Sequence, residues 1–269
     1  MTTALEIIIP VRDPGAELDG TIASLTAQTD KAFGVILSDN HSSEGLEEID
    51  AAEEKLLAAG LTVRRLRPPA ALGRVEHWNW AHLQARSAWL KPLLSGECLK
   101  PAYVERLKQC VREQPQAQLV RCDAELRTEW GIETVAAPFA QRWLPAGEFL
   151  QHFPARVAWM GNLLNVAFSR VAWTAAGGFD IHLPACAALN LNCVLALHYG
   201  MVSLPEALVT AESAVSLNAT AGGRVNLWLE LWLTMQQLRN GCLAAKQVWP
   251  RRGVLRGVWQ GQSLHAEPA

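Results

Sequence analysis

The chain begins with two short apolar runs, each of which stops abruptly at polar, turn-forming residues. Residues 5–11 have the sequence LEIIIPV and lead into Arg12-Asp13-Pro14, whereas the second run begins at residue 34 and ends in the segment SDNHSSEG. This pattern is typical of buried parallel strands that deliver their following loops to a ligand crevice. Asp13 and Asp39 lie at the two strand ends, so they are predicted to face a nucleotide or a phosphate-bearing substrate.

The segment between the two predicted strands has the spacing of an amphipathic helix. Leu18, Ile22 and Leu25 recur at helical intervals, which places them on one helix face. Asp13 is predicted to cap this helix, and Pro14 suits its first position, where a missing N–H breaks no hydrogen bond. Strand, helix and strand together predict a βαβ unit.

The alternation of strand and helix continues along the chain. Apolar spacing predicts a helix at residues 46–57, a strand at 61–66, a helix at 75–88, a strand at 89–94, a helix opened by Pro101 and a strand at 118–122. Residues 124–160 are less regular. Because no internal repeat or low-complexity linker is present, we expect one α/β domain over residues 1–220 and a helical C-terminal extension over residues 221–269.

Composition limits the classes of function. The chain has 269 residues, of which 50% are hydrophobic, and a formal charge of −2, so nothing indicates a nucleic-acid partner. Apolar stretches fall short of the roughly 20 residues of a membrane span, and the N-terminus lacks the features of a signal peptide. The sequence therefore predicts a cytoplasmic protein. Its six scattered cysteines form no CxxC pair, which indicates reduced thiols rather than zinc or disulfides.

Several segments occur in the order and spacing of a known enzyme family. They are IIIPVRDPG, SLTAQT at residues 24–29, ILSDNHSSEG, GRVEHWNWA at 73–81, KPLLSGECLKP at 91–101 and GGFD at 177–180. Together they make residues 4–210 resemble the family 2 glycosyltransferases. The resemblance implies the GT-A fold, in which a Rossmann-type, mostly parallel sheet is flanked by helices. It also implies transfer of a sugar, with inversion, from a nucleotide diphosphate sugar to a glycan or lipid-linked acceptor.

Asp39 is the predicted contact to the nucleotide base. In the resembling family the first Asp after the second strand bonds the base, and a carboxylate accepts from an imide N–H, so a UDP or dTDP donor is expected. The alternative is a turn Asp that accepts from its own loop backbone. Arg12 and Arg74 are candidate phosphate or ribose contacts, or else surface charges. The remaining predicted nucleotide-binding residues are Pro10, Val11, Asp13, Gly73, Asn79 and Gly96.

The chain departs from the family at the position that binds the metal ion. The family carries an Asp-x-Asp or Asp-Asp pair before the helix that Pro101 opens here, and its carboxylates hold Mg²⁺ or Mn²⁺ against the diphosphate. In this chain Gly96 occupies that position and Glu97 follows it. Glu97 is therefore the candidate metal ligand, and Gly96 would let the backbone approach the diphosphate. The alternative is a solvated loop carboxylate in a site that binds metal poorly.

A second departure concerns the general base, which takes the proton of the acceptor hydroxyl in an inverting transfer. The resemblance places a carboxylate just after GGFD, at the start of a helix, but Ala188 occupies that position and the next acid is Glu206. Asp180 and His182 are the nearest titratable groups and become the candidate catalytic residues. A lone loop histidine is more often a surface residue. The missing carboxylate predicts slow transfer or none.

The C-terminal segment has a different character. Its apolar helical stripe is followed by basic residues interleaved with tryptophan. This pattern predicts peripheral association with an anionic inner membrane face, or alternatively a helix packed on the main domain with a solvated basic tail. The stripe residues are Leu227, Trp228, Leu231, Trp232 and Met235.

Three functional hypotheses follow from these patterns. The first is a working glycosyltransferase. The second is a degenerate relative that keeps nucleotide binding and serves as a scaffold or partner of another transferase, as Gly96 and Ala188 indicate. The third is a nucleotidyltransferase, which is disfavoured because the Gly-rich, basic first loop of such enzymes is missing after Val11.

Overall fold

The computed structural model describes residues 4–138, 143–151, 160, 163–212 and 221–244. The strands within them are β1 (Leu5–Val11), β2 (Gly34–Asp39), β3 (Thr62–Leu66), β4 (Trp89–Pro92), β5 (Glu97–Leu99), β6 (Leu119–Thr128), β7 (Gly131–Val135), β8 (Trp143–Leu144), β9 (Val166–Ser169) and β10 (Met201–Glu212). The α-helices are α1 (Glu17–Thr26), α2 (Leu46–Ala58), α3 (Arg74–Leu83), α4 (Tyr103–Glu113), α5 (Arg170–Ala175), α6 (Ala187–Tyr199) and α7 (Ala221–Ala244). A 3-10 turn covers Glu148–Gln151.

The strands form one mixed sheet in the order β3-β2-β1-β4-β9-β6-β10-β5, with β7 on β6 and β8 on β10. Strands β3, β2, β1 and β4 run parallel, as do β6 and β10, whereas β9 is antiparallel to both β4 and β6. Helices α1, α2 and α4 cover one face, and α3, α5, α6 and α7 cover the other, each over its own apolar core. The predicted α/β class, a Rossmann-type sheet flanked by helices, is confirmed.

The first βαβ unit forms where the apolar pattern predicts it. Strand β1 is buried along its whole length because β2 and β4 pair with it on either side. Helix α1 buries Leu18, Ile22 and Leu25 against this strand layer, as their spacing predicts.

The predicted helix cap is wrong. Helix α1 begins at Glu17, and the preceding Ala16 makes no side-chain cap hydrogen bond. Asp13 and Pro14 lie in the loop before the helix, and the Asp13 carboxylate is bound by the loop that follows β2. The Asp13 side chain therefore makes a tertiary contact with another loop, whereas the local sequence pattern predicts a helix cap.

Helix α3 is shorter than predicted. It ends at Leu83 rather than near Ala88, because the backbone turns and donates the N–H groups of Arg86 and Ser87 to the Glu6 carboxylate, at 2.6 and 2.7 Å. The long-range contact to Glu6 thus ends a helix whose apolar spacing continues.

Other element ends also differ from prediction. Helix α4 starts at Tyr103, so Pro101 lies in the turn before it. Strand β6 continues to Thr128 and pairs with β7 in a hairpin, in a region whose sequence lacks a regular apolar period. Trp130 lies exposed at the hairpin tip.

Helix α7 packs on α6 through buried Met235 and Leu238, whereas Trp232 is half exposed. The predicted apolar stripe therefore divides between buried and exposed faces, and the side chains of Leu227 and Trp228 lie outside the described residues. In the described part of the chain no helix is both long and apolar enough to cross a bilayer. The domain boundary at residue 220, membrane association and cytoplasmic location remain predictions, and the basic tail lies outside the described residues.

Candidate functional site

Two loops meet at the carboxyl ends of β1 and β2. Val11 pairs with Asp39 in the parallel register, and the Asn40 N–H donates to the Val11 carbonyl at 2.9 Å, so the strands end side by side. Pro10 and Val11 are buried strand residues beneath the loops, and Arg12 is the first exposed residue above them. This is the edge at which open α/β sheets bind ligands.

Asp13 ties the loop after β1 to the loop after β2. Its Oδ1 accepts the N–H groups of Ser43 and Glu44, at 2.7 and 3.0 Å, and its own N–H donates to Ser42 Oγ at 2.9 Å. The backbone N–H of Glu44, followed by that of Ser43, holds the pKa of Asp13 below its usual value. Arg12 Nε lies 3.8 Å from Asp13 Oδ2. Asp13 therefore fixes the loops, and ligand contact by either residue remains a prediction.

The Asp39 side chain is buried at the end of β2 with its two oxygens in different environments. Oδ1 accepts the Ser42 N–H at 2.8 Å, which is the turn contact of the alternative interpretation. Oδ2 lies 3.4 Å from Nε of Arg67, whose side chain is 51% exposed. One oxygen thus builds the turn, while the other adjoins a guanidinium that faces solvent.

Two polar neighbours of Asp39 are not among the site residues predicted from the sequence. Arg67 is one of them, and its position directly before Pro68, at the end of a predicted strand, was the available signal. The other is Asn40, whose amide donates to the Leu72 carbonyl at 2.8 Å and accepts the Leu72 N–H at 2.9 Å. These bonds hold the segment after β3 against the end of β2.

His77 lies beneath the same edge, on α3. Its Nε2 is 2.8 Å from Ser38 Oγ, and burial lowers the pKa of His77 to about 4. The ring is therefore neutral at pH 7 and supports the strand end as a hydrogen-bonding group without charge.

Helix α3 begins beside the crevice, with Gly73 at its N-cap position. The Gly73 N–H donates to Glu76 Oε2 at 2.9 Å. The Arg74 guanidinium lies 5.4 Å from the centroid of the Trp78 ring and donates to the Pro184 carbonyl. Arg74 thus contacts the segment that follows GGFD.

Asn79, a predicted nucleotide contact, is engaged with the GGFD turn. Its Nδ2 donates to the Phe179 carbonyl and its Oδ1 accepts the Phe179 N–H, both at 2.8 Å. Gly178 has φ +80°, and a Cβ there would lie 2.7 Å from Asn79 Oδ1. The turn therefore requires glycine, and Asn79 fixes its position.

The two predicted catalytic residues follow this turn. Asp180 accepts the His182 N–H on Oδ1 at 2.9 Å and the Gln237 side-chain N–H on Oδ2 at 3.1 Å. Gln237 also accepts from Asn190, and the His182 side chain is exposed. A pocket of about 460 Å³ opens here, and its lining includes Asn79, Asp180, Asn190 and Gln237. The structure thus brings Asn79 and Asp180 together in one pocket.

The turn that carries Gly96 and Glu97 is held by hydrogen bonds that engage both residues. Gly96 has φ +87° and donates its N–H to Thr21 Oγ1 at 2.9 Å. The buried Glu97 carboxylate accepts the Leu94 N–H at 2.8 Å. Burial raises the pKa of Glu97 and lowers that of the nearby, fully buried Lys91 to about 8, while their mutual attraction opposes both shifts.

This turn fits a divalent cation poorly. Hard cations need several oxygen ligands, and across the residues that the structure describes no group of three or more His, Cys, Asp and Glu side chains is arranged to hold a metal ion. Glu97 is turned onto its own backbone beside a buried ammonium group rather than toward a second carboxylate. The donor set therefore does not match the metal site that the resemblance implies.

The fold is similar to that of solved glycosyltransferases. Residues 1–349 of TarS from S. aureus match with a TM-score of 0.72 and 14% identity, over 98% of this chain and 75% of that one. The same TarS fragment in complex with UDP matches with a TM-score of 0.67 and 12% identity, over 89% and 65%. The mannosyltransferase PcManGT from Pyrobaculum calidifontis, in complex with GDP-Man and Mn²⁺, matches with a TM-score of 0.62 and 13% identity, over 97% and 70%.

These likenesses establish the fold. No protein-family model and no curated protein matches the sequence. The chain spans less than two thirds of the TarS fragment solved with UDP, at 65%. The GT-A-like architecture is thereby confirmed, whereas membership of family 2 remains a prediction.

Proposed function

We propose that the protein is a nucleotide-sugar glycosyltransferase that holds the base of a UDP or dTDP donor at Asp39. The observation that carries the proposal is the separation of 3.4 Å between Asp39 Oδ2 and Arg67 Nε at the end of β2. A carboxylate accepts from an imide N–H, and a guanidinium donates to the adjacent carbonyl. The pair therefore complements the imide N–H and the adjacent carbonyl of uracil or thymine. Adenine has no such N–H and carbonyl pair.

In the proposed complex the rest of the donor follows the sheet edge toward α3. Arg12 and Arg74 are both exposed, and guanidinium groups suit phosphate oxygens. We assign the sugar and a glycan or lipid-linked acceptor to the pocket beside Asp180. One neighbouring structure, TarS, was solved with UDP-GlcNAc, which supports a donor of this type.

A specific observation favours a second candidate, a nucleotide-binding scaffold without transfer activity. The closed turn at Glu97 lacks the carboxylate pair that would neutralise a departing diphosphate. Such a scaffold would bind the nucleotide at Asp39 in the same way. Binding and turnover must therefore be measured separately.

Replacing Asp39 with asparagine is expected to weaken UDP binding roughly 10- to 100-fold, because one charge-assisted hydrogen bond contributes about 1.5–3 kcal/mol. The amide keeps an oxygen for the Ser42 N–H but presents an N–H to the base in place of Oδ2. Calorimetry with UDP and ADP provides the measurement. The exposed Asp19→Asn variant is the control. Equal affinity for UDP and ADP, or none for either, would contradict the proposal.

Manganese is expected to change UDP affinity less than twofold, because Glu97 is closed onto the Leu94 N–H. Titrations with and without Mn²⁺, in the wild type and in Glu97→Ala, test this expectation. A clear gain in Mn²⁺ that disappears in Glu97→Ala, with metal-free binding intact, would instead establish Glu97 as the metal ligand.

A further inference from the structure

Helix α7 contributes a polar side chain to the pocket beside the GGFD turn. Gln237 lies on this helix, 57 residues after Asp180 in the sequence, and lines the pocket together with it. Glu230, about two turns earlier on α7, accepts the N–H groups of Ala185 and Cys186 at 2.7 and 2.9 Å. These two bonds anchor α7 to the segment that leads into α6, so the helix that carries Gln237 is fixed beside the pocket.

A directed row of hydrogen bonds links three polar residues of the pocket lining. The Asn190 side-chain N–H donates to Gln237 Oε1, and Gln237 Nε2 donates to Asp180 Oδ2 at 3.1 Å. A carboxylate only accepts, so the nitrogen of Gln237 must face Asp180 and its oxygen must face Asn190. Asn190 is 5% exposed, which restrains its amide as well. We call these three residues the polar row.

The polar row has hydrogen-bonding capacity beyond its own bonds. Among the described residues, each of the two amide nitrogens donates one of its two N–H groups within the row. A sugar hydroxyl both donates and accepts, so neighbouring hydroxyls of one ring can bond successive members of the row. The lining also includes the apolar side chains of Ile181, which is 45% exposed, and Val194. Such side chains suit the C–H face of a sugar ring.

The size and charge of the pocket favour a small, uncharged ligand. Its volume of about 460 Å³ lies within the range of roughly 300–1,000 Å³ that is typical of small-molecule sites. Among the described residues that line it, Asp180 is the one charged side chain. A phosphate would meet this carboxylate without a cation to balance it, because Arg12 and Arg74 are not part of the lining.

We propose that this pocket binds an uncharged sugar ring through its hydroxyls and that Gln237 is a specificity-determining residue of the site. The inference rests on the proposed function and narrows the ligand of this pocket to a ring without phosphate. The sugar of the donor and a terminal sugar of a glycan acceptor share this chemistry, and separate measurements distinguish them.

Gln237→Leu tests the role, because leucine preserves helix propensity but interrupts the polar row. One arm follows the methyl glycosides of glucose, galactose, mannose and N-acetylglucosamine by ligand-observed NMR, in the presence of saturating UDP. The other arm compares UDP with UDP-glucose, UDP-galactose and UDP-GlcNAc by calorimetry. We expect a loss of roughly 3- to 10-fold in sugar affinity in one of the arms, the cost of about one hydrogen bond. Affinity for UDP itself and the Tm should stay close to the wild-type values.

Gln236→Leu is the matched control. Gln236 precedes Gln237 on α7 and is not among the residues that line the pocket. This variant should keep the wild-type affinities in both arms. Glucose 6-phosphate provides the test of charge, and it should bind the wild type at least roughly fivefold more weakly than methyl glucoside, because Asp180 repels the phosphate.

A loss confined to the glycosides assigns the ring to the acceptor, and a loss confined to the nucleotide sugars assigns it to the donor. Either result supports the inference. Unchanged affinities of Gln237→Leu in both arms overturn it, including the case in which no glycoside binds the wild type. An equal loss in Gln236→Leu, or tight binding of glucose 6-phosphate, overturns it as well. Failure of the wild type to bind UDP would instead overturn the proposed function.

Discussion

Replacing Gly45 with alanine is expected to lower the free energy of unfolding by more than roughly 2 kcal/mol, the upper cost of a left-handed conformation alone. Gly45 has φ +69°, and a Cβ there would lie 2.1 Å from the Pro14 carbonyl oxygen. Backbone atoms cannot move aside as a flexible side chain can. The loop after β2 must therefore shift, and with it the Ser43 and Glu44 N–H groups that bind Asp13. Urea denaturation measures the loss.

Gly60 offers a matched control. It has φ +77°, and a Cβ at Gly60 would meet no atom within 4 Å. Gly60→Ala therefore includes the cost of the left-handed conformation but no steric clash. The difference between the two variants in lost unfolding free energy measures the clash with Pro14. Equal losses in the two variants would show that the approach of the loops does not require glycine. UDP affinity should fall in Gly45→Ala alone, because the crevice loops meet at that residue.

Local periodicity was sufficient for the elements that form the crevice. Strand β1 and helix α1 follow apolar spacing that depends on neighbours a few residues away. The end of β2 followed from the same pattern, so Asp39 could be assigned to the crevice from sequence. In these elements the residues that the hydrophobic pattern predicts to be buried are the ones that pack in the fold. The prediction of the fold succeeded for that reason.

The contacts that decide the chemistry are long-range and have no local signal. Asp13 is assigned to a helix cap by its position in sequence, but N–H groups some 30 residues away bind it. Glu97 resembles a loop carboxylate, yet the fold buries it beside Lys91. Arg67 and Gln237 follow no motif, and they reach Asp39 and Asp180 from the end of β3 and from α7. Polar contacts of this kind become visible once the sheet order is known.

Acidification from pH 7 to pH 5 is expected to lower the free energy of unfolding by about 4 kcal/mol through His77 and His82, at roughly 2 kcal/mol each. Burial lowers the pKa of both residues from 6.5 to about 4. His82 is enclosed by aromatic rings, with its Nδ1 bonded to the Trp78 carbonyl. Protonating His82 inside the fold would place a charge among aromatic rings, and protonating His77 would charge a buried ring whose desolvation outweighs the attraction of the nearby Asp39 carboxylate.

The sign follows from proton uptake. Below pH 6.5 the unfolded chain protonates both histidines, while the folded chain binds these protons only near pH 4, so stability is fully present above 6.5 and is lost as the pH falls toward 4. Urea denaturation at pH 7, 6 and 5 measures the slope. His82→Phe, which keeps an aromatic ring among Phe168, Trp173 and Phe179, should remove about half of it. An unchanged slope in His82→Phe would show that His82 does not contribute to the acid response.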